Sequence, residues 1–187
     1  MRKIKSFKLV LRPHEVKRRA KKAGLDLETA GLGEPALAKL LDQLAKALAP
    51  GVLFDTFGPA DPDQSILSPM PGLAYSLILA GLGEAFAPAR AAQISVPEGL
   101  WPLLEEAALD ESVRFASGII ADEAEKDNCE LSPLTPLAEA AALEAVVRKL
   151  DGAKLGITFQ DGKLSPAASL GASLSWLAKS KAKGRSK

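Results

Sequence analysis

The 187-residue chain has one cysteine, Cys129, and one histidine, His14. A lone cysteine excludes a disulfide framework, and one residue of each kind excludes a Cys/His zinc cluster. A histidine-assisted nucleophile would have to use His14, which lies in a strongly basic stretch far from Cys129 in sequence. A satisfied or solvent-facing imidazole is the simpler reading. Cys129, set between the acids Asp127 and Glu130, reads as inert. Aromatic residues make up 5% of the chain, and only Phe7 accompanies the basic N-terminal stretch, so stacking on nucleic-acid bases has little to use. Long apolar runs are scarce too. Residues 64–83 are uncharged and long enough to span a bilayer, but Pro69, Pro71, Gly72, Gly81 and Gly83 interrupt them. Only residues 73–82 are strongly apolar, which predicts a buried helix and no membrane span. The N-terminus has no signal-peptide apolar core, so the cytoplasm is the expected address.

What is present is apolar (47%) and charged (25%) in proportions that exclude a disordered chain. The formal net charge of +1 conceals a segregation. Residues 1–22 hold ten Lys/Arg and one acid, residues 23–178 nine Lys/Arg and 22 acids, and residues 179–187 five Lys/Arg and no acid. An acidic body with two basic ends is expected either to lay its basic segments on its own acidic surface or to offer them to phosphates. The first reading is preferred, and nucleic acid is not the expected partner.

Residues 3–12 alternate as a half-wet strand, and residues 14–23 form a short basic helix closed by Gly24. After Pro35, Leu37, Leu40, Leu41, Leu44 and Leu48 share a helical face. Residues 52–57 read as a strand and 58–64 as a loop; a short strand is expected over 92–96 and helices over 99–108 and 111–127. Leu143, Val146, Val147 and Leu150 give a further helix its buried seam, and residues 155–164 form a strand with an Asp-Gly turn. Leu-Ser-Pro recurs as Leu67-Ser68-Pro69, Leu131-Ser132-Pro133 and Leu164-Ser165-Pro166. Each copy suits a serine cap and first-turn proline opening a helix, whether by internal duplication or by independent use of a good helix start. These elements predict one α+β domain over residues 1–178, with a mixed or mainly antiparallel sheet flanked by helices. It comprises a basic strand–helix start (1–24) and a main body (25–178), followed by a basic flexible tail (179–187).

Among the carboxylates, Glu123 shares a helical stripe with Ala116, Ile119 and Ile120, where burial would raise its pKa. Asp61 and Asp63, in a proline-rich loop, are a candidate cation site without calcium-loop spacing. Gly31-x-Gly33 and Gly81-x-Gly83 lack the rest of a phosphate-binding motif and read as helix stops.

Three local matches resemble the activation domain of vitamin B12-dependent methionine synthase and its small free-standing relatives. Leu155-Gly156-Ile157-Thr158 resembles the family's Ile-Gly-Ile-x-Leu-Thr strand, and Pro166-Ala167-Ala168-Ser169 its Pro-Ala-Ala-Ser-Val-Ser-Gly segment. Leu131-Ser132-Pro133 through Leu137 takes the place of its Arg-x-x-Pro-Gly-Tyr loop. Leu79-Ala80-Gly81-Leu82-Gly83 is similar to an Ala-Thr-Leu-Gly turn of the free-standing relatives, and residues 111–127 stand where those have an acidic helix.

The resemblance implies that fold, and a protein that binds S-adenosylmethionine and presents it to cobalamin on a partner, for reductive methylation. It carries the ligand positions to Glu130, Ser132, Pro133, Thr135, Pro166 and Ser169. Glu130 replaces the family's loop arginine and Leu134-Thr135 its Gly-Tyr pair, while Gly171-Ala172 replaces a Ser-Gly. A carboxylate in place of a guanidinium repels the ligand's carboxylate, so S-adenosylmethionine binding by the family's mode is expected to be weak or absent, and a non-catalytic role is preferred. The expected function is therefore an accessory role in corrinoid metabolism, with S-adenosylmethionine or cobalamin met through a corrinoid-binding protein. The alternatives are an interaction module that uses the acidic body or basic ends, and an enzyme working through a rearranged loop.

Overall fold

The computed structural model describes residues 1–92 and 96–179. The strand expected over 92–96 falls mainly on residues 93–95, and the basic tail on 180–187, so both lie outside the described residues. The fold is α+β, with helices on an antiparallel sheet.

The chain starts with strand β1 (Arg2–Lys5), far shorter than the strand expected over residues 3–12. Ser6 turns to φ 55° and its N–H donates to the Pro50 carbonyl at 2.8 Å, which takes the chain out of the sheet. The alternation of Phe7, Leu9 and Leu11 serves the helical core instead, where Leu9 is buried. Helix α1 (Pro13–Lys22) follows and ends before Gly24 at φ 75°. Helix α2 (Glu34–Ala47) buries Leu37, Leu40, Leu41 and Leu44 as their spacing predicts. Strand β2 (Gly51–Phe57) leads through the loop to the one-turn helix α3 (Gln64–Leu67).

Residues 73–82 are not a helix but strand β3 (Ala74–Gly81), buried almost throughout. A run that is apolar at nearly every position suits a central strand covered on both faces as well as a buried helix, and its periodicity cannot separate them. Helix α4 (Phe86–Ala91) and a 3-10 turn (Glu98–Leu100) precede helix α5 (Trp101–Lys126), a continuous 26 residues where two helices were expected. Asp110 does not break it, because that carboxylate faces α1 and takes a hydrogen bond from Arg19.

Strands β4 (Cys129–Leu131) and β5 (Thr135–Pro136), helix α6 (Ala140–Lys149), a 3-10 turn (Gly152–Leu155) and the hairpin β6 (Thr158–Gln160) and β7 (Lys163–Ser165) lead to β8 (Ser169–Ala178). The Asp161-Gly162 turn of the hairpin has positive φ at both residues, as its sequence predicts.

None of the three Leu-Ser-Pro copies opens a helix. Ser68 follows the last residue of α3, Ser132-Pro133 separates β4 from β5, and Ser165 ends β7 with Pro166 leading on toward β8. The Ser68 and Ser132 hydroxyls bond across to the sheet, so a cap was the wrong partner for the right side chain.

The strand order is β1-β2-β3-β8-β4, with β5 also on the outer edge of β8, and every pair is antiparallel. One face packs Phe54, Ile78, Ala80 and Leu174 on Val113, Ala116 and Ile120 of α5. The other packs Leu53, Leu77 and Leu79 on Ala142, Ala145 and Val146 of α6. A helical core of α1, α2, α4 and the start of α5 adjoins them, centred on Leu41, Leu104 and Trp101. No helix of the described residues is long and apolar enough to cross a membrane.

Candidate functional site

Strand β8 organises the six residues singled out from the sequence, and it divides them. Glu130, exposed, lies opposite Leu177, and Thr135, also exposed, lies opposite Ser173. Between them Ser132 is buried: its Oγ accepts the Ser175 N–H at 2.9 Å and donates to the Pro133 carbonyl at 3.1 Å. Thr135 Oγ1 also donates to that carbonyl, at 3.4 Å. Glu130, Ser132, Pro133 and Thr135 thus form one group on the outer edge of β8. Pro166 is exposed before the other end of the strand, and Ser169 lies opposite Gly81. At ~3.3 Å per residue, Ser169 and Ser175 are roughly 20 Å apart, so the six positions form two separate surfaces.

Around the first group the sheet carries a seam of hydroxyls. Ser68 Oγ and Ser175 Oγ are 2.9 Å apart and both meet the Met70 carbonyl at 2.7 Å. On the neighbouring strands Trp176 Nε1 donates to Ser76 Oγ at 2.7 Å, and Ser76 pairs with Thr56 Oγ1 at 2.7 Å. These bonds satisfy polar groups inside a packed sheet and so hold its register. The buried hydroxyl oxygens of Ser169 and Ser173 have no hydrogen-bond partner among the described residues.

The loop aspartates do meet a cation, and it belongs to the chain. Lys149, in the last turn of α6, places Nζ 2.6 and 2.7 Å from the Asp61 oxygens and 3.3 Å from Asp63. Arg148 donates to Asp63 at 2.8 Å. The Lys149 ammonium also lies 4.9 Å from the centre of the Phe57 ring, which stacks on Tyr75. Burial would raise the Asp61 pKa, but donation by Lys149 and the Asp63 N–H holds it below the usual carboxylate range. Burial and then the Asp61 charge push the Tyr75 phenol well above the ordinary tyrosine range. Sequence reading found the aspartates but missed Lys149 and Tyr75. The only available signal was a lysine at a helix C-terminus, a common position for a cation. No group of three or more His, Cys, Asp or Glu that could hold a metal is found among the described residues.

Glu123 corrects a second expectation. It forms a two-pronged ion pair with Arg2, whose donation lowers the Glu123 pKa where burial alone would raise it. His14 is exposed on α1, while Cys129 Sγ donates to the Asp127 carbonyl at 3.5 Å at the start of β4. The basic helix lies partly on the acidic body, as preferred. Arg19, 14% exposed, reaches Glu15 at 3.1 Å, Glu106 at 2.9 Å and Asp110 at 2.6 Å, and Lys17 reaches Glu34 at 3.3 Å. Arg12, Arg18, Lys21 and Lys22 remain exposed.

No protein-family model and no curated protein matches the chain.

Proposed function

We propose that the chain is an accessory protein of corrinoid metabolism that docks on a corrinoid-binding protein and retains at most a degraded S-adenosylmethionine site. One observation carries the reading: segments that resemble the methionine synthase activation domain, though scattered along the chain, border β8, at one end of it or the other. Ser132 bonds to Ser175, Ser169 begins the strand, and Gly81 pairs with Ser169. The hairpin that follows Leu155-Gly156-Ile157-Thr158 leads directly into β8.

Glu130 sets the expected chemistry. Its exposed carboxylate, where the family has arginine, disfavours an anionic ligand end. Calorimetric titration of the full chain with S-adenosylmethionine and with cobalamin, alone and with a corrinoid-binding protein, tests the reading. Heat in the ternary mixture supports it, and absence of heat in every combination overturns it. Glu130→Arg should strengthen S-adenosylmethionine binding; Glu130→Ala should change little unless the carboxylate itself works in a rearranged enzyme.

The rival reading is a macromolecular interaction module. The exposed cations of α1 favour it, and removal of residues 179–187 should then weaken a salt-dependent complex with nucleic acid or an acidic partner.

A further inference from the structure

One transverse row of the sheet has a composition found in no motif. Lys5 on β1 lies opposite Gly51 on β2, Gly51 opposite Gly81 on β3, and Gly81 opposite Ser169 on β8. Residues directly opposite one another share a face, so the row sets an ammonium at one end, a buried hydroxyl without a partner at the other, and two positions without side chains between. A cleft of about 510 Å³ opens at this end of the sheet, walled by Lys5, Gly51, Gly81, Gly83 and Leu155. Leu155 and Ile157 lean over the two glycines: a Cβ on Gly51 would lie 2.7 Å from Leu155 Cδ2, and one on Gly81 3.1 Å from Ile157 Cδ1. The glycines therefore bring an apolar wall down onto the sheet beside a cationic edge.

That edge is unbalanced. Lys3 shares the face of Lys5 on β1, and Lys154 lies in the turn that carries Leu155. The Lys3 ammonium is driven below the ordinary lysine range by desolvation, then by Lys5 and Lys154, with only Asp151 opposing. The acids nearby are Asp151, already paired with Lys154 at 3.1 Å, and Glu84, which also lines the cleft. Lys5 on the cleft wall, with Lys3 two residues away on the same face of β1, favours an anion there, and a multiply charged one over a lone carboxylate.

We propose that this cleft binds a small phosphorylated molecule, its phosphate on Lys5, with Lys3 and Lys154 adding positive charge from outside the cleft wall, and its apolar part against Leu155. The site shares Gly81, Leu155 and Ser169 with the segments behind the corrinoid reading, but it does not rest on that reading, and its test reads phosphate binding alone. The test uses phenyl phosphate, inorganic phosphate and phenol on the full chain, followed by the amide resonances of Gly51, Gly81 and Gly83. Phenyl phosphate should shift these amides saturably, inorganic phosphate should bind more weakly, and phenol should not bind. Lys5→Gln and Lys154→Gln should each weaken phenyl phosphate several-fold, and Lys22→Gln, on a distant exposed helix turn, should leave it unchanged. Absence of a saturable shift overturns the site. Equal loss in Lys22→Gln overturns it too, because the attraction would then be the pooled charge of the surface.

Discussion

Ser132 and Ser175 exchange two hydrogen bonds: the Ser132 N–H donates to the Ser175 carbonyl at 2.9 Å, and the Ser175 N–H donates to Ser132 Oγ at 2.9 Å. The side chain stands in for a ladder acceptor where Pro133 interrupts the edge strand. Two of the three Leu-Ser-Pro copies meet here, since Ser68 Oγ bonds the Ser175 hydroxyl.

Ser132→Ala should leave the Ser175 amide without its acceptor inside the sheet, a loss of about 1–3 kcal/mol. Urea unfolding checks it, and a midpoint equal to that of the wild type would show that the bond does not hold the edge.

Lys149→Met should destabilise by about 1 kcal/mol at neutral pH, the part-exposed setting keeping it below the value for a fully buried pair. The dependence on pH gives the sign. Asp61 has a lowered folded pKa, so its stabilisation is present above the unfolded value of about 4 and is lost as pH falls below it. The gap between wild type and variant should therefore be full at pH 7 and close in acid. Unfolding curves at three pH values test this, and a gap that widens in acid would contradict it.

Arg19→Gln should loosen α1 from α5 by removing the shared partner of Glu15, Glu106 and Asp110. About 1 kcal/mol is expected, less at high salt. Limited trypsin digestion should cut within α1 faster than in the wild type; an unchanged digestion rate would mean that Val16 and Ala20 hold the helix unaided.

Two glycine substitutions should move stability in opposite directions. An alanine Cβ at Gly152 would lie 2.6 Å from the Ile157 carbonyl and 3.0 Å from Val147, so Gly152→Ala should cost about 1–3 kcal/mol. Gly118 is an exposed helical position of α5 with nothing near its missing Cβ, so Gly118→Ala should stabilise by about 0.5–1 kcal/mol. Thermal melts of both variants are sufficient, and a shared direction would refute the pairing.

The elements legible in the sequence were those whose pattern admits one solution. Five leucines at helical spacing after Pro35 can bury only as a helix, and Asp161-Gly162 between short alternating segments can only turn a hairpin. β3 was illegible for the opposite reason: covered by α5 on one face and α6 on the other, it loses the polar alternation that identifies a strand. β8 does alternate Ser173 and Ser175 with Ala172, Leu174 and Trp176, and was obscured because Leu164-Ser165-Pro166 reads as a helix start. Serine and proline together announced a break in the chain at three places, but whether the hydroxyl capped a helix or bridged strands depended on what lay opposite. The candidate site divided in the same way. Local likeness nominated Ser132 and Ser169, and the register of β8 set them at opposite ends of one strand.

By itself the sequence determined an α+β fold, the helix seams and the separation of charge along the chain, because periodicity and composition are local properties. Only the tertiary structure decided where those charges went. Arg19 found three acids, Lys149 became the cation of Asp61, and Lys5 came to stand across two glycines from Ser169. All of these but Arg19–Glu15 join residues far apart in sequence. Helix packing brings the charged partners within a few ångströms, and strand pairing, which no local pattern encodes, sets Lys5 and Ser169 in one row, roughly 14 Å apart at ~4.8 Å per strand.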